Sequence, residues 1–68
     1  MSKQDALAEA IIQDVIGFIM QDNEIELELA MKQFYTSCIF EKLKDYETGL
    51  YFEGSAYVYE LYKDELLK

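Results

Sequence analysis

Glu24-Ile25-Glu26-Leu27-Glu28-Leu29-Ala30-Met31-Lys32-Gln33-Phe34-Tyr35 is the stretch on which the fold of this 68-residue chain turns. Its first six residues alternate charged and apolar with period two, the pattern of a half-buried strand. The second half does not continue that alternation. Leu27, Ala30, Met31, Phe34 and Tyr35 fall at i, i+3, i+4, i+7 and i+8, one face of an α-helix, and Glu28 and Lys32 stand four residues apart as a helical ion pair would. Asn23 with Glu26 three residues later has the form of a capping box, with Asn in place of the usual Ser or Thr. The stretch is read as a helix over 24–35, and the domain with it as all-α.

Upstream, Ser2 is placed to cap a helix over about 3–21, with Asp5 favourably in its first turn. Leu7, Ile11, Val15 and Phe18, flanked by Ala8, Ile12, Ile16 and Ile19, cover roughly 180° of the helical wheel, wider than the ~100° stripe of a one-sided surface helix. Beside them runs a row of Ala6, Ala10, Gln13 and Gly17. This row either lets another helix approach closely or contains, in Gly17, a tolerated weak point costing about 1 kcal/mol relative to Ala.

Downstream, Thr36-Ser37 reads as a break with Ser37 as N-cap, followed by a short helix over 38–45 that buries Ile39, Phe40 and Leu43. Asp45 to Gly49 reads as a turn with Gly49 at positive φ. Leu50-Tyr51-Phe52 is short and β-prone, so a short extended segment is expected near 50–52. Gly54-Ser55 restarts the chain with Ser55 as a cap. The last helix, about 56–67, spreads Tyr57, Val58, Tyr59, Leu61, Tyr62 and Leu66 over roughly 200° of the wheel. The expected fold is thus all-α, three to four short helices in one domain over 1–68.

Composition bounds the function. Hydrophobic residues make up 51% of the chain, and one Cys with no His excludes a disulfide or a Cys/His zinc site as the stabilising device. Oligomerisation is the remaining route to a larger core, so a dimer is expected. Six Lys against fourteen Asp and Glu give a net charge of −8, with no Arg. By segment the charge is −3 for 1–22, −2 for 23–35, 0 for 36–46 and −3 for 47–68, so no basic stripe hides in the average. Nucleic acid and anionic membrane surfaces are excluded as direct partners. The single thiol and the absence of a recognisable secretory signal fit a cytoplasmic protein. The most apolar run, Ala10 to Met20, is interrupted by Gln13 and Asp14 and is too short to span a bilayer. Lys63-Asp64-Glu65-Leu66 spells a retention signal that is read only at an extreme C-terminus; Leu67 and Lys68 follow it, so it is read as helix.

The residues offer little chemistry. Without His the usual near-neutral acid–base group is missing, and Ser2, Ser37, Ser55, Thr36 and Thr48 have no activating base and are read as caps or turn residues. Cys38 sits beside apolar Ile39 and Phe40 with no cationic neighbour and is read as a buried structural thiol. Glu24, Glu26 and Glu28 diverge by about 200° per step on a helix and form a solvated acidic face rather than a cation site. No catalytic, cofactor-binding or metal-binding residue, and no small-molecule site, is assigned.

Nine of the ten aromatic residues lie between Phe34 and Tyr62. Base-stacking platforms need an accompanying basic groove, so this cluster is read as core or interface. The excess is assigned to an interface with Tyr51, Phe52, Tyr57, Tyr59, Tyr62 and Leu66 as its residues.

The run Tyr35-Thr36-Ser37-Cys38-Ile39-Phe40-Glu41-Lys42-Leu43, followed by Asp45-Tyr46-Glu47-Thr48-Gly49-Leu50-Tyr51 and Ser55-Ala56-Tyr57-Val58-Tyr59-Glu60-Leu61, resembles a family of very small stand-alone bacterial proteins. Members share a Tyr-x-Ser start, an acidic Glu-Thr turn, an aromatic pair and a serine-led entry into an acidic C-terminal helix. They often carry Pro after that serine, where this chain has Ala56. The likeness covers the chain from Tyr35 onward; before that only the helical pattern agrees. It implies a bacterial cytoplasmic origin and a non-enzymatic role, and brings no mechanism with it.

The reading that follows is a small acidic helical interaction module, self-associating, with a regulatory or antitoxin-like subunit for a protein partner as its specific form. The alternative is a transcriptional regulator of helix-turn-helix type, which the short helices permit and the lack of Arg opposes.

Overall fold

Ser2 opens the first helix as expected: its Oγ accepts the Asp5 backbone N–H at 3.1 Å. In the computed structural model, which describes residues 2–67, α1 runs from Lys3 to Asn23. It extends two residues past the predicted end because the reversal is made at Glu24, in the left-handed region with φ 53°. There the Glu24 and Ile25 N–H groups both donate to the Met20 carbonyl. This C-terminal closure competes with the expected capping box and prevails. Asn23 stays in the last turn, its side-chain amide donating to the Ile19 carbonyl at 2.9 Å, and Glu26 takes the N-cap position of the next helix without a side-chain bond.

Helix α2, Leu27–Tyr35, settles the ambiguous stretch as helical from Leu27 onward, burying Ala30 and Phe34. The expected Glu28–Lys32 ion pair is not formed; the one ion pair among the described residues joins Lys63 and Glu60 at 2.9 Å. Thr36 closes α2 by donating its hydroxyl to the Lys32 carbonyl at 3.0 Å. Ser37 then caps α3, Cys38–Lys44, accepting the Phe40 N–H at 3.2 Å while its own hydroxyl donates to the Phe34 carbonyl at 2.6 Å. One side chain thus ties the end of α2 to the start of α3.

Two 3-10 turns follow, Tyr46–Thr48 and Leu50–Phe52, joined by Gly49 at φ 70°. The extended segment expected at 50–52 is therefore a 3-10 turn. Among the described residues there is no strand for it to pair with. Its backbone groups are satisfied locally instead, Phe52 N–H donating to the Gly49 carbonyl and Glu53 N–H to that of Leu50. Gly54, at φ 87°, stands at the N-cap of α4, Ser55–Leu66. Ser55 is not the cap; its hydroxyl donates to Asp14 Oδ2 at 2.6 Å and fastens α4 to α1.

Helix α1 is the spine, with Ile11, Ile12, Val15, Ile16 and Ile19 buried against α2, α4 and the second 3-10 turn. Phe34, Leu43 and Val58 complete the centre, each fully buried. The radius of gyration, 11.3 Å, is close to the ~11 Å of a compact chain of this length. One chain alone therefore closes a core.

Candidate functional site

The aromatic rings sort into two connected runs and one outsider. Phe18, Tyr59, Tyr62, Phe34, Phe40 and Tyr35 form a chain of rings with successive centroids 5.3, 6.3, 5.7, 5.7 and 4.9 Å apart. Tyr46, Tyr51 and Phe52 form a second at 5.3 and 4.3 Å. All of these separations except the closer Tyr51–Phe52 pair fall in the range of favourable edge-to-face and offset pairs. Tyr57 belongs to neither.

This arrangement divides the six residues expected at an interface. Tyr51, Tyr59 and Tyr62 are only 8%, 8% and 2% exposed, so their area is taken by the chain's own core. Their role there follows from their polar ends. A buried phenol needs a partner, and Asp22 on α1 accepts the Tyr59 hydroxyl. Burial first, and that carboxylate second, push the Tyr59 phenol up to about 12. Lys63 lies over the same ring, 4.8 Å from its centroid. Tyr46 repeats the motif at the other end of α1, donating to Asp5. That bond raises Tyr46 to about 12 and holds the Asp5 carboxyl below its usual range. Asp5, Asp14 and Asp22 thus each receive a hydroxyl from the second half of the chain, and α1 is latched along its length.

Phe52, Tyr57 and Leu66 remain outside at 71%, 50% and 64% exposure. The structure does not bring these three into one patch. Phe52 stands beside Lys3, Gln4 and Leu7 near the start of α1, while the end of α4 shapes a depression with Cys38, Ile39 and Leu61 near the start of α3.

Another apolar surface lies elsewhere. Between α1 and α2 runs an open groove of about 330 Å³, with Ile12, Ile16 and Met20 from one helix and Leu27, Met31 and Tyr35 from the other. The α2 residues recur every four positions and form a ridge. Phe34 and Ala30, on the adjoining flank of the same face, are buried in the core, which fixes the ridge at the edge of the groove. Tyr35, the last ring of the six-membered run, is the point where the aromatic core reaches this surface. Sequence reasoning put the interface on Tyr51, Phe52 and the last helix and did not single out this groove. The signal was present in the ~180° apolar arc of α1, broader than one neighbour needs, and in the four-residue spacing of Leu27, Met31 and Tyr35.

Gly17 lies on the far lip of the groove. A Cβ placed there would meet no atom within 4 Å, and Ala6, Ala10 and Gln13 are exposed beside it. The small-residue row therefore admits no helix of this chain.

Cys38 departs from the expected buried thiol: it is exposed. The reason is the break at Ser37, which turns Ser37 and Ile39 inward and Cys38 out. Its backbone N–H donates to Glu65 Oε1 at 2.8 Å, and the same carboxylate pushes the thiol up, away from the reactive thiolate. Among the described residues no group of three His, Cys, Asp or Glu is placed to hold a metal ion, and no helix is long and apolar enough to cross a membrane. No protein-family model, curated protein or solved structure matches the chain.

Proposed function

We propose that this chain is a non-catalytic protein-interaction module, an acidic helical domain whose α1–α2 face receives a protein partner. The observation that carries the reading is the apolar ridge of Leu27, Met31 and Tyr35 along an open groove, with Leu27 and Tyr35 exposed beside half-buried Met20 and the core residues Ile12 and Ile16. A contiguous exposed apolar surface on a small domain is the ordinary mark of an interaction site. The Glu65 carboxylate beside Cys38, whose effect in raising the thiol outweighs that of Lys42, supports the non-catalytic part. An unpaired, exposed thiol supports a reducing, cytoplasmic setting. A regulatory or antitoxin-like subunit is the specific form proposed, in keeping with a net charge of −8 that suits a basic partner.

The test is affinity capture from cell extract with the wild-type chain and with a Leu27→Ser/Tyr35→Ser double variant, accompanied by light scattering. The reading expects a stoichiometric partner retained by the wild type and lost by the variant at unchanged helicity. A strict monomer that retains nothing contradicts it, and salt-sensitive binding to duplex DNA would replace it with the regulator.

A further inference from the structure

The groove has the dimensions of a helix seat. Its wall from Leu27 to Tyr35 is about 12 Å long at 1.5 Å per residue, a little over two turns. Its floor is Ile12, Ile16 and Met20, and the far lip falls away at Gly17, above which 4 Å of space is empty. Met20 and Met31 lie in the groove, unbranched side chains that adapt to an incoming surface. An occupant of this shape presents apolar anchors at i, i+4 and i+7.

Charge selects among occupants of that shape. Residues 2–35, which build the groove, carry seven carboxylates against two lysines, a net of −5 within the total of −8. Glu9 is the one charged residue lining the groove, and Glu24, Glu26 and Glu28 are exposed at the α1–α2 turn. None of these four is engaged in an ion pair among the described residues. A second copy of the chain would set this acidic surface against its own like, an arrangement that opposes association.

We propose that the α1–α2 groove binds a basic amphipathic helix of a protein partner, seating apolar side chains on Ile12, Ile16 and Met20 and setting Lys or Arg against Glu9, Glu24, Glu26 and Glu28. The inference rests on the interaction-module reading and specifies the chemistry of the partner. Apolar anchors supply the affinity, and the charges supply orientation, on-rate and salt dependence.

The experiment titrates the full chain into a fluorescent peptide of about four helical turns, with Leu at i, i+4 and i+7 and Lys on its polar face. A second peptide carries Glu in place of every Lys. Gly17→Leu plugs the open lip and replaces a helix-interior glycine by a better helix former, so loss of binding cannot be blamed on unfolding. The proposal expects saturable, salt-weakened binding of the Lys peptide, at least about tenfold weaker binding of the Glu peptide, and a similar loss in Gly17→Leu at retained helicity. Phe52→Ala, remote from the groove, should bind as the wild type does.

No binding of the Lys peptide overturns the inference. So does equal binding by Gly17→Leu, which moves the site off the groove. Light scattering in which the wild type dimerises and Gly17→Leu does not assigns the groove to a second copy; the basic-helix inference then fails while the module reading stands. A monomer that binds neither peptide and captures no protein ends both.

Discussion

The tyrosines of α4 and the ridge of α2 present large side chains at helical spacing, yet the fold uses them oppositely. Tyr59 and Tyr62 point inward between Phe18 and Phe34, and the Tyr59 hydroxyl is satisfied by Asp22. Leu27, Met31 and Tyr35 stand along an open groove and are backed by the core without entering it. The difference lies in the neighbours. Helix α4 lies across α1 and α3, which cover it from two sides. Helix α2 buries only Ala30 and Phe34 fully, and its second apolar flank is half-covered, with Met31 against the core, Tyr35 against Phe40 and the rest open along the groove. Apolar width on a helical wheel thus measures how many neighbours a helix wants, and not whether its own chain supplies them.

The comparison breaks most sharply at Phe34, whose ring touches those of Phe40 and Tyr62. Phe34→Ala removes a fully buried ring and is expected to cost about 3–5 kcal/mol. A domain of this length has roughly 3–10 kcal/mol in total, so urea unfolding should find the variant largely or wholly unfolded. If Phe34→Ala were as stable as the wild type, the division between core and groove would be misdrawn.

Tyr59→Phe keeps the ring and deletes the hydroxyl bonded to Asp22. Loss of about 1 kcal/mol is expected from thermal or urea melts. Gly17→Ala is its opposite on the groove lip: with nothing near its new methyl, the gain should be about 1 kcal/mol. A destabilised Gly17→Ala would mean that something occupies the space above Gly17.

The hydroxyl latches also make stability depend on pH in a known direction. Tyr46 and Tyr59 are raised from 10.0 to about 12 in the folded chain. Their contribution is complete below pH 10 and is lost as pH rises through 12, because the unfolded chain releases those protons first. Asp5 acts in the other direction. Its carboxyl is lowered from 3.8, so its contribution is present above that value and disappears as pH falls through the folded-state value. Circular dichroism against pH, with phenolate absorbance recorded in parallel, should show a smaller loss of stability between pH 10 and 12 in Tyr59→Phe than in the wild type, with the acid limb set by Asp5 keeping its shape.

The smallest effect belongs to the groove itself. Leu27→Ser, at a position 51% exposed, should change stability by no more than about 0.5 kcal/mol. A larger loss would turn the ridge into core.

Much of the architecture was legible because its signals are local. Ser2, Ser37 and Gly49 announce their caps and turn through side-chain reach or backbone freedom, and the spacing of Leu27, Ala30, Met31 and Phe34 outweighs the period-two run before it. What was not legible depends on distant parts of the chain. Asn23 failed as a cap because the α1 terminus closed on Glu24, and Ser55 failed because Asp14, 41 residues away in sequence, took its hydroxyl. Leu50-Tyr51-Phe52 lacked a partner strand. The burial of Tyr51, Tyr59 and Tyr62 was not legible either, since no sequence pattern states that Asp22 would satisfy Tyr59 from the far side of the molecule.

The most direct test of the groove as the working surface is nuclear magnetic resonance on the isotope-labelled chain during titration with the Lys-rich amphipathic peptide. The account predicts shift changes concentrated at Ile12, Ile16, Gly17, Met20, Leu27, Met31 and Tyr35, with the resonances of Phe52 and Tyr57 unmoved. Changes centred on Phe52, Tyr57 or Leu66, or none at saturating peptide, would contradict it.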